Sequence, residues 1–291
     1  MANLKDIRIR ISSVKTTRQV TSAMKMVSAA KFKKSHDQII AFRPYADGLN
    51  YILSTLNLDN QALWKYSRTS IVDRLLVVVI TSNRGLCGAF NANVIKQTER
   101  LIKEDFKALH HNHAVDIIAI GKQGYKALNA HGFNVIESHN DVLSELRYAP
   151  CSEIAENIIQ TFIDEKYDKV LVIYNEFINA AVQNVTIEQF LPIQIDTKGQ
   201  TAEVPFIFEP STEDVLEMLI PKTLKSTFYR WALESVAAEH GARMTSMHKA
   251  TDNATELISD LQLMYNKARQ TAITNEILEI VGGAEALKSS S

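Results

Sequence analysis

Proline and glycine are placed very unevenly along this chain of 291 residues, and that placement constrains the fold more than any average does. The six prolines are Pro44, Pro150, Pro192, Pro205, Pro210 and Pro221, and there are ten glycines. Residues 1–43 contain neither, and residues 222–281 contain only Gly241. Proline costs about 3 kcal/mol inside a helix and glycine about 1 kcal/mol. Both ends of the chain therefore read as long helices, and the middle collects the punctuation. At 1.5 Å per residue the two helices would reach roughly 65 Å and 90 Å. Helices of that length need a partner face to be stable.

The apolar spacing agrees. Leu4, Ile7, Ile11 and Val14 recur at 3, 4 and 3, and after a slip the stripe resumes at Val20, Met24, Val27 and Ala30. Near the other end, Leu233, Ala237, His240, Met244, Met247, Thr251, Ala254, Ile258, Leu261, Tyr265, Ala268 and Ala272 follow an unbroken alternation of 4 and 3. That 3.5-residue period marks a coiled-coil seam. The simplest partner for each helix is the other, antiparallel, with a shared foot near Pro44 and Pro221. Facing residues then sum to about 265, which sets Met24 beside Arg243 and Met1 beside Met264. The C-terminal helix continues alone from about Tyr265 to Val281, carrying Ile273, Ile277, Leu278, Ile280 and Val281. Such a tip needs a socket on another protein.

The middle alternates strands with helices. Arg74 to Thr81 is a strand apolar on both faces. Val115–Ile120, Phe133–Ile136 and Lys169–Tyr174 are further strands, and Val185–Leu191 alternates like a half-exposed antiparallel edge strand. Helices fall at about 91–109, 122–130 and 152–166, and Asn60–Ser70 reads as a surface connector. The fold class is α/β: a long antiparallel two-helix coiled coil from both termini plus a small, Rossmann-like, mostly parallel α/β domain. Its divisions are 1–57 for the N-terminal helix, 73–209 for the central domain and 210–287 for the C-terminal helix.

Composition matters through its partition. The net charge of −1 splits into +8 over residues 1–43, −9 over the middle and 0 over residues 222–291. The basic first helix suits an acidic protein, a membrane surface or a nucleic acid. The absence of interleaved aromatics before Phe32 argues against nucleic acid. No apolar run approaches a membrane span. Cys87 and Cys151 are far apart and match neither a zinc pattern nor a disulfide framework.

Chemistry-bearing motifs are weak. The loop Ser82-Asn83-Arg84-Gly85-Leu86-Cys87-Gly88-Ala89 lies between a strand and a helix, where phosphate cradles occur. It lacks both GxGxxG and a closing Gly-Lys-Ser/Thr, so it reads as a glycine-assisted turn or a docking loop. His110, His111 and His113 cluster at a helix end without carboxylate or thiol partners at ligand spacing. No set of residues forms an active site, and no cofactor or metal is expected. A nucleotide-binding α/β enzyme with a coiled-coil oligomerisation arm remains the alternative.

Three segments carry a resemblance. Ile273-Thr274-Asn275-Glu276-Ile277-Leu278-Glu279-Ile280-Val281-Gly282-Gly283-Ala284-Glu285-Ala286 looks like the C-terminal signature of the gamma subunits of rotary ATP synthases. The match extends upstream through Arg243-Met244, Ala250 to Ala254 and Leu261 to Gln270. Ile11 to Lys15 and Thr21 to Lys31 resemble the family's opening helix, and Ser82 to Gly88 is a third match. The stretches near 56–72 and 110 are the least typical.

The resemblance implies a non-catalytic rotor shaft that couples proton flow through a membrane ring to ATP synthesis or hydrolysis. It implies three alpha and three beta subunits, an epsilon subunit and the membrane c-ring as partners, and no nucleic acid. It also implies a peripheral position on the cytoplasmic side of a bacterial plasma (inner) membrane, since no transit peptide precedes Met1. The family's rotor–stator contacts carry over to Met24, Arg243, Gln270, Thr274 and Glu276. Photosynthetic relatives have an inserted dithiol switch, for which Cys87 and Cys151 are too isolated.

Overall fold

Six consecutive apolar residues form strand β1 (Leu75–Ile80), and all six are buried in the computed structural model, which describes residues 4–55, 61–68, 71–180, 182–193, 209 and 211–289. A strand with no exposed face must lie in the middle of a sheet. It does: the order is β3-β2-β1-β4-β5, with β2 at Val115–Ile120, β3 at Val135–His139, β4 at Lys169–Phe177 and β5 at Gln183–Leu191. β1 pairs in parallel with β2, Leu75 opposite Val115, and with β4, Leu75 opposite Lys169. β5 is antiparallel to β4 and closes one edge, as its alternating sequence predicts.

The chain has helices α1 (Leu4–Thr55), α2 (Gln61–Ser67), α3 (Phe90–Arg100), α4 (Lys107–His111), α5 (Lys122–Ala130), α6 (Tyr148–Ile163) and α7 (Thr212–Ser289). The contacts group the chain into two units, residues 1–27 with 245–291 and residues 28–244.

In the larger unit the two faces of β1 serve two cores. Leu76, Val78 and Ile80 join α6 (Ile154, Ile158, Phe162), α7 (Leu216, Phe228, Trp231) and α1 (Ile39, Leu49, Leu53). Leu75, Val77 and Val79 join Val94 of α3, Leu128 of α5 and Ile102. Each fully buried side chain of this size contributes about 1.5–3 kcal/mol of transfer free energy. Glu188 ties the first core together: it accepts hydrogen bonds from the Tyr174 hydroxyl at 2.7 Å and the Trp231 indole N–H at 3.0 Å.

Several local expectations need correcting. The single helix expected over 91–109 is interrupted by a π-helical turn, Leu101–Asp105. The wider turn lets two consecutive apolar residues, Leu101 and Ile102, both point inward. β3 begins two residues later than expected because Phe133 is buried in the turn before it. The connector expected at 60–70 contains helix α2, anchored by buried Tyr66; Asn60, Thr69 and Ser70 lie outside the described residues. Pro205, Pro210 and Met1 lie outside them as well. The prolines expected at the foot do not end the long helices. Pro44 sits inside α1 and Pro221 inside α7. Burial of Ala46, Leu49 and Leu53 beyond Pro44, and of Leu216, Leu219 and Ile220 before Pro221, offsets the roughly 3 kcal/mol cost of each.

The first helix differs from its apolar pattern in an instructive way. There is no slip after Val14. The least exposed positions continue as Arg18, Thr21, Lys25, Ser28, Phe32, Ser35 and Ile39, an unbroken alternation of 4 and 3. Val20 and Val27 are 52% and 58% exposed. Small hydroxyl residues carry the seam, and Thr21 and Ser35 satisfy themselves by donating to backbone carbonyls three or four residues back. Arg18 and Lys25 have aliphatic stems that can line such a seam while their charges reach water.

In the smaller unit α1 and α7 run antiparallel. The Thr251 hydroxyl donates to the Thr21 hydroxyl at 2.9 Å, and Lys25 Nζ lies 3.4 Å from His248 Nδ1. Paired residues therefore sum to 272–273, where the sequence reading gave about 265. The difference is one heptad. A 3.5-residue repeat packs equally well after a slip of seven, so apolar spacing alone cannot choose between the two registers. Position 24 accordingly faces about position 248, and the expected pairing of Met24 with Arg243 does not follow from this register. The seam is as expected through Met247, Ala254, Ile258 and Leu261, which are buried, but it stops short of Ala272: every described side chain from Arg269 onward is exposed.

Candidate functional site

In a sheet of this kind ligands bind beyond the carboxyl ends of the strands, at the point where the connections change direction. Here that point lies between β1 and β4. β1 delivers Thr81 and Ser82, both buried, into the loop 82–89. Ser82 N–H donates to Asn91 Oδ1 at 2.9 Å, and the Asn91 amide donates back to Ser82 Oγ at 2.8 Å and to Cys87 Sγ at 3.3 Å. Ser82 Oγ donates to the Arg84 carbonyl at 2.7 Å. Leu86 and Gly88 take left-handed backbone conformations, φ 63° and 61°, which fold the loop back on itself. Gly124 packs directly on Thr81, where an added Cβ would meet Thr81 Oγ1 at 2.7 Å. The glycines around this crevice permit close approach of protein to protein.

The crevice is filled by the chain's own helix. Ala238 and Ala242 of α7 pack with Cys87 and Phe90, and Phe177 packs against them from the end of β4. Arg243, 7% exposed, reaches the loop. Its Nη2 donates to the Arg84 carbonyl at 2.7 Å and to the Gly85 carbonyl at 3.3 Å, and Nε donates to Gly85 at 3.3 Å. Nη1 donates to Glu239 Oε1 at 2.6 Å. One turn of α7 thus presents a buried ion pair, and the loop answers with carbonyl oxygens. A phosphate cradle has the opposite polarity, offering backbone N–H groups to an anion. The nucleotide-enzyme alternative fails on that geometry.

The electrostatics follow from burial. Burial pushes the Glu239 carboxyl up, against the pull of Arg243. Burial, helped by the positive charges of Arg243 and Lys31, lowers His240 to about 4. Burial also raises both thiols, Cys151 to about 12, so neither is a ready nucleophile. His110 packs on Phe133, and among the described residues no three His, Cys, Asp or Glu side chains are grouped to hold a metal.

The residues singled out by resemblance are differently placed. Met24 is half-buried on α1. Gln270, Thr274 and Glu276 lie on the exposed part of α7, with the Thr274 hydroxyl donating to the Gln270 carbonyl at 2.9 Å. Arg243 is in the other unit and turned inward. The sequence reading missed Asn91, Glu239 and Gly241 at the crevice. Glu239 and Arg243 did leave a signal: opposite charges four residues apart, set among the small residues Ala237, Ala238, Gly241 and Ala242. Gly241 marks close passage, since a Cβ there would lie 3.2 Å from the Ala180 carbonyl oxygen. Asn91 left no signal.

Comparison with known proteins agrees over the whole length. The sequence profile of a family described as ATP synthase matches residues 3–287. An ATP synthase gamma chain of Flavobacterium psychrophilum is 53% identical over 293 aligned residues, covering 99% of this chain and 100% of the relative. One of Christiangramia forsetii is 49% identical, covering 99% of each. Among solved structures, a chain of the Euglena gracilis mitochondrial ATP synthase, in a complex described as OSCP/F1/c-ring, aligns with a TM-score of 0.71 at 20% identity, covering 99% of this chain and 95% of that one. A chain of the Tetrahymena thermophila mitochondrial ATP synthase central stalk and c-ring aligns at 0.60 and 24%, covering 79% and 99%. At such identities the structural likeness speaks for the fold.

Proposed function

The chain belongs to the ATP synthase family, among its gamma chains, and from that premise we propose how its geometry serves the complex. It is a non-catalytic central-stalk subunit: the complex makes or hydrolyses ATP, and this chain is the rotor that couples that chemistry to ion flow. The observation that carries this reading is the pairing of a filled ligand crevice with a bare helix. Among the described residues of the α/β domain the crevice at the strand ends is filled by α7, while α7 extends beyond its partner with Ile273, Ile277, Leu278, Ile280 and Val281 exposed.

In this proposal the exposed tip turns within a loose apolar sleeve formed by three alpha and three beta subunits. A tight pocket would bury those side chains at about 1.5–3 kcal/mol each and oppose rotation. Met24, Gln270, Thr274 and Glu276 face successive beta subunits as the shaft turns. Arg243 is grouped with them by resemblance, and its side chain is buried within this chain. Exposed polar contacts worth about 0–1 kcal/mol suit this work, because they break and re-form readily. The α/β domain meets the epsilon subunit and the membrane c-ring. Residues 1–57, 73–209 and 210–287 serve as shaft helix, foot and shaft helix.

Among the described residues no helix is long and apolar enough to cross a membrane. Attachment is proposed to be peripheral, through the complex, on the cytoplasmic side of a bacterial plasma membrane. The test is co-purification of the full chain with alpha and beta subunits, followed by truncation after Gln270. The truncated chain is expected to fold its α/β domain and to couple ATP hydrolysis to proton pumping less well. A full chain that failed to co-purify would overturn the reading.

A further inference from the structure

The crevice at the end of β1 and β4 is filled by α7, and the Arg243 side chain makes polar contacts across that junction. Arg243 donates three hydrogen bonds to two carbonyls of the loop 82–88. A fourth goes to Glu239, which is itself buried. The fork is rigid, and a planar guanidinium can serve two carbonyls and a carboxylate together. The loop is equally determined. Asn91 holds Ser82, Ser82 holds the Arg84 carbonyl, and Leu86 and Gly88 turn the chain back. The side chains that α7 itself brings to the apolar contact are small: Ala238 and Ala242 pack on Cys87, Phe90 and Phe177. Small side chains resist sliding weakly, whereas a forked, buried, charge-assisted hydrogen-bond set resists it by direction.

We infer that Arg243 is a positioning residue, whose guanidinium keys helix α7 into the loop 82–88 so that torque passes between α7 and the α/β domain. The inference rests on the rotor reading and assigns Arg243 a task inside this chain in place of a direct contact with the stator. The key is asymmetric by design of its parts. Lysine at 243 would keep the charge opposite Glu239 but lacks the fork that reaches Arg84 and Gly85 together. The loop can also be loosened from its other side, without touching Arg243, by removing the amide of Asn91.

The test uses the assembled complex in membrane vesicles. ATP-driven proton pumping is read with a pH-sensitive dye, relative to ATP hydrolysis by the same vesicles, and hydrogen exchange is followed in the loop 82–88. For Arg243→Lys we expect about tenfold faster exchange in the loop, equivalent to about 1.4 kcal/mol, and a several-fold lower ratio of pumping to hydrolysis. Asn91→Leu should produce both effects in the same direction, and the double variant should add little to Arg243→Lys alone. Arg243→Met is avoided because it would strand the Glu239 carboxylate. The inference is overturned if Asn91→Leu frees the loop while the ratio holds, which would send Arg243 to the stator. It is also overturned if Arg243→Lys lowers the ratio with the loop still protected. Failure of the unaltered chain to assemble would instead remove the rotor reading itself.

Discussion

Helix α7 is one element with two ways of being buried. From Leu216 to Arg243 it is enclosed on most sides: Leu216, Ile220, Phe228, Trp231, Ala232, Leu233, Ala237 and Ala238 are nearly inaccessible, and the buried positions do not confine themselves to one stripe. From Thr245 to Leu261 only Met247, Ala254, Ile258 and Leu261 are buried, at intervals of 7, 4 and 3. The first stretch is gripped by a sheet and by other helices, and the second by a single helix. Broad burial holds an element by many contacts at once, none of which can slip alone. Stripe burial leaves most of the circumference free for other proteins.

The largest test of this contrast is Trp231→Ala. It removes a fully buried ring and its bond to Glu188, and it should cost about 4 kcal/mol in urea unfolding. A loss below about 1 kcal/mol would mean that the broad stretch is not gripped as described.

Acid should act next, through His240. Its folded value of about 4 lies below the free value of 6.5, so protonation favours the unfolded chain. The stability due to neutral His240 is present above about pH 6.5 and is lost as pH falls toward 4, by at most about 3 kcal/mol. Glu239, raised by burial, opposes this at the acid end, because its carboxyl takes up a proton more readily in the folded chain. The urea midpoint should therefore fall with pH between about 6.5 and 4, and His240→Gln should flatten the fall.

Ile258→Ala in the stripe should cost about 2 kcal/mol, at the low end for a buried aliphatic, because one side of the seam can relax. A cost matching that of Trp231→Ala would erase the distinction between the two stretches. The smallest effect is expected for Thr251→Val, within about 0.5–1 kcal/mol, because both seam hydroxyls also have backbone carbonyls to hand. A sharper register test replaces both Thr21→Cys and Thr251→Cys. That pair should oxidise to a disulfide, and the pair Val14→Cys with Thr251→Cys, one heptad away, should stay reduced.

Much of this was legible in the sequence because it depends on local rules. β2 was read to the residue and β1 to within one residue at each end, since an apolar run between turn signals has few alternatives. The 4-3 seam of α7 was legible for the same reason. What was not legible depended on partners. Val20 and Val27 drew the apparent stripe of α1 away from Thr21 and Ser28, because hydropathy ranks a methyl above a hydroxyl that satisfies itself. Pro44 and Pro221 carried a helix-breaking signal that tertiary packing outweighed. The contacts of Arg243 with the loop were invisible, since its partners there are backbone carbonyls about 160 residues away, and carbonyls have no letter in the sequence. Gly241 was visible only as a lone breaker in the long helix. Its reason is the Ala180 carbonyl passing where a side chain would begin.

The hydroxyl pair Thr21 and Thr251 has a consequence of its own. An apolar heptad repeat carries phase but no origin: it tells two helices how to rotate and leaves open where along the axis to stop. A pair that matches in only one alignment supplies that origin, as a mark on a ruler does. A slip of seven residues would set Thr21 against Ile258, a hydroxyl against a methyl. Erasing the mark at both positions with apolar residues should leave a coil that packs well in more than one place. Its molecules would be isomers about 10 Å apart along the axis, identical in composition and different in length.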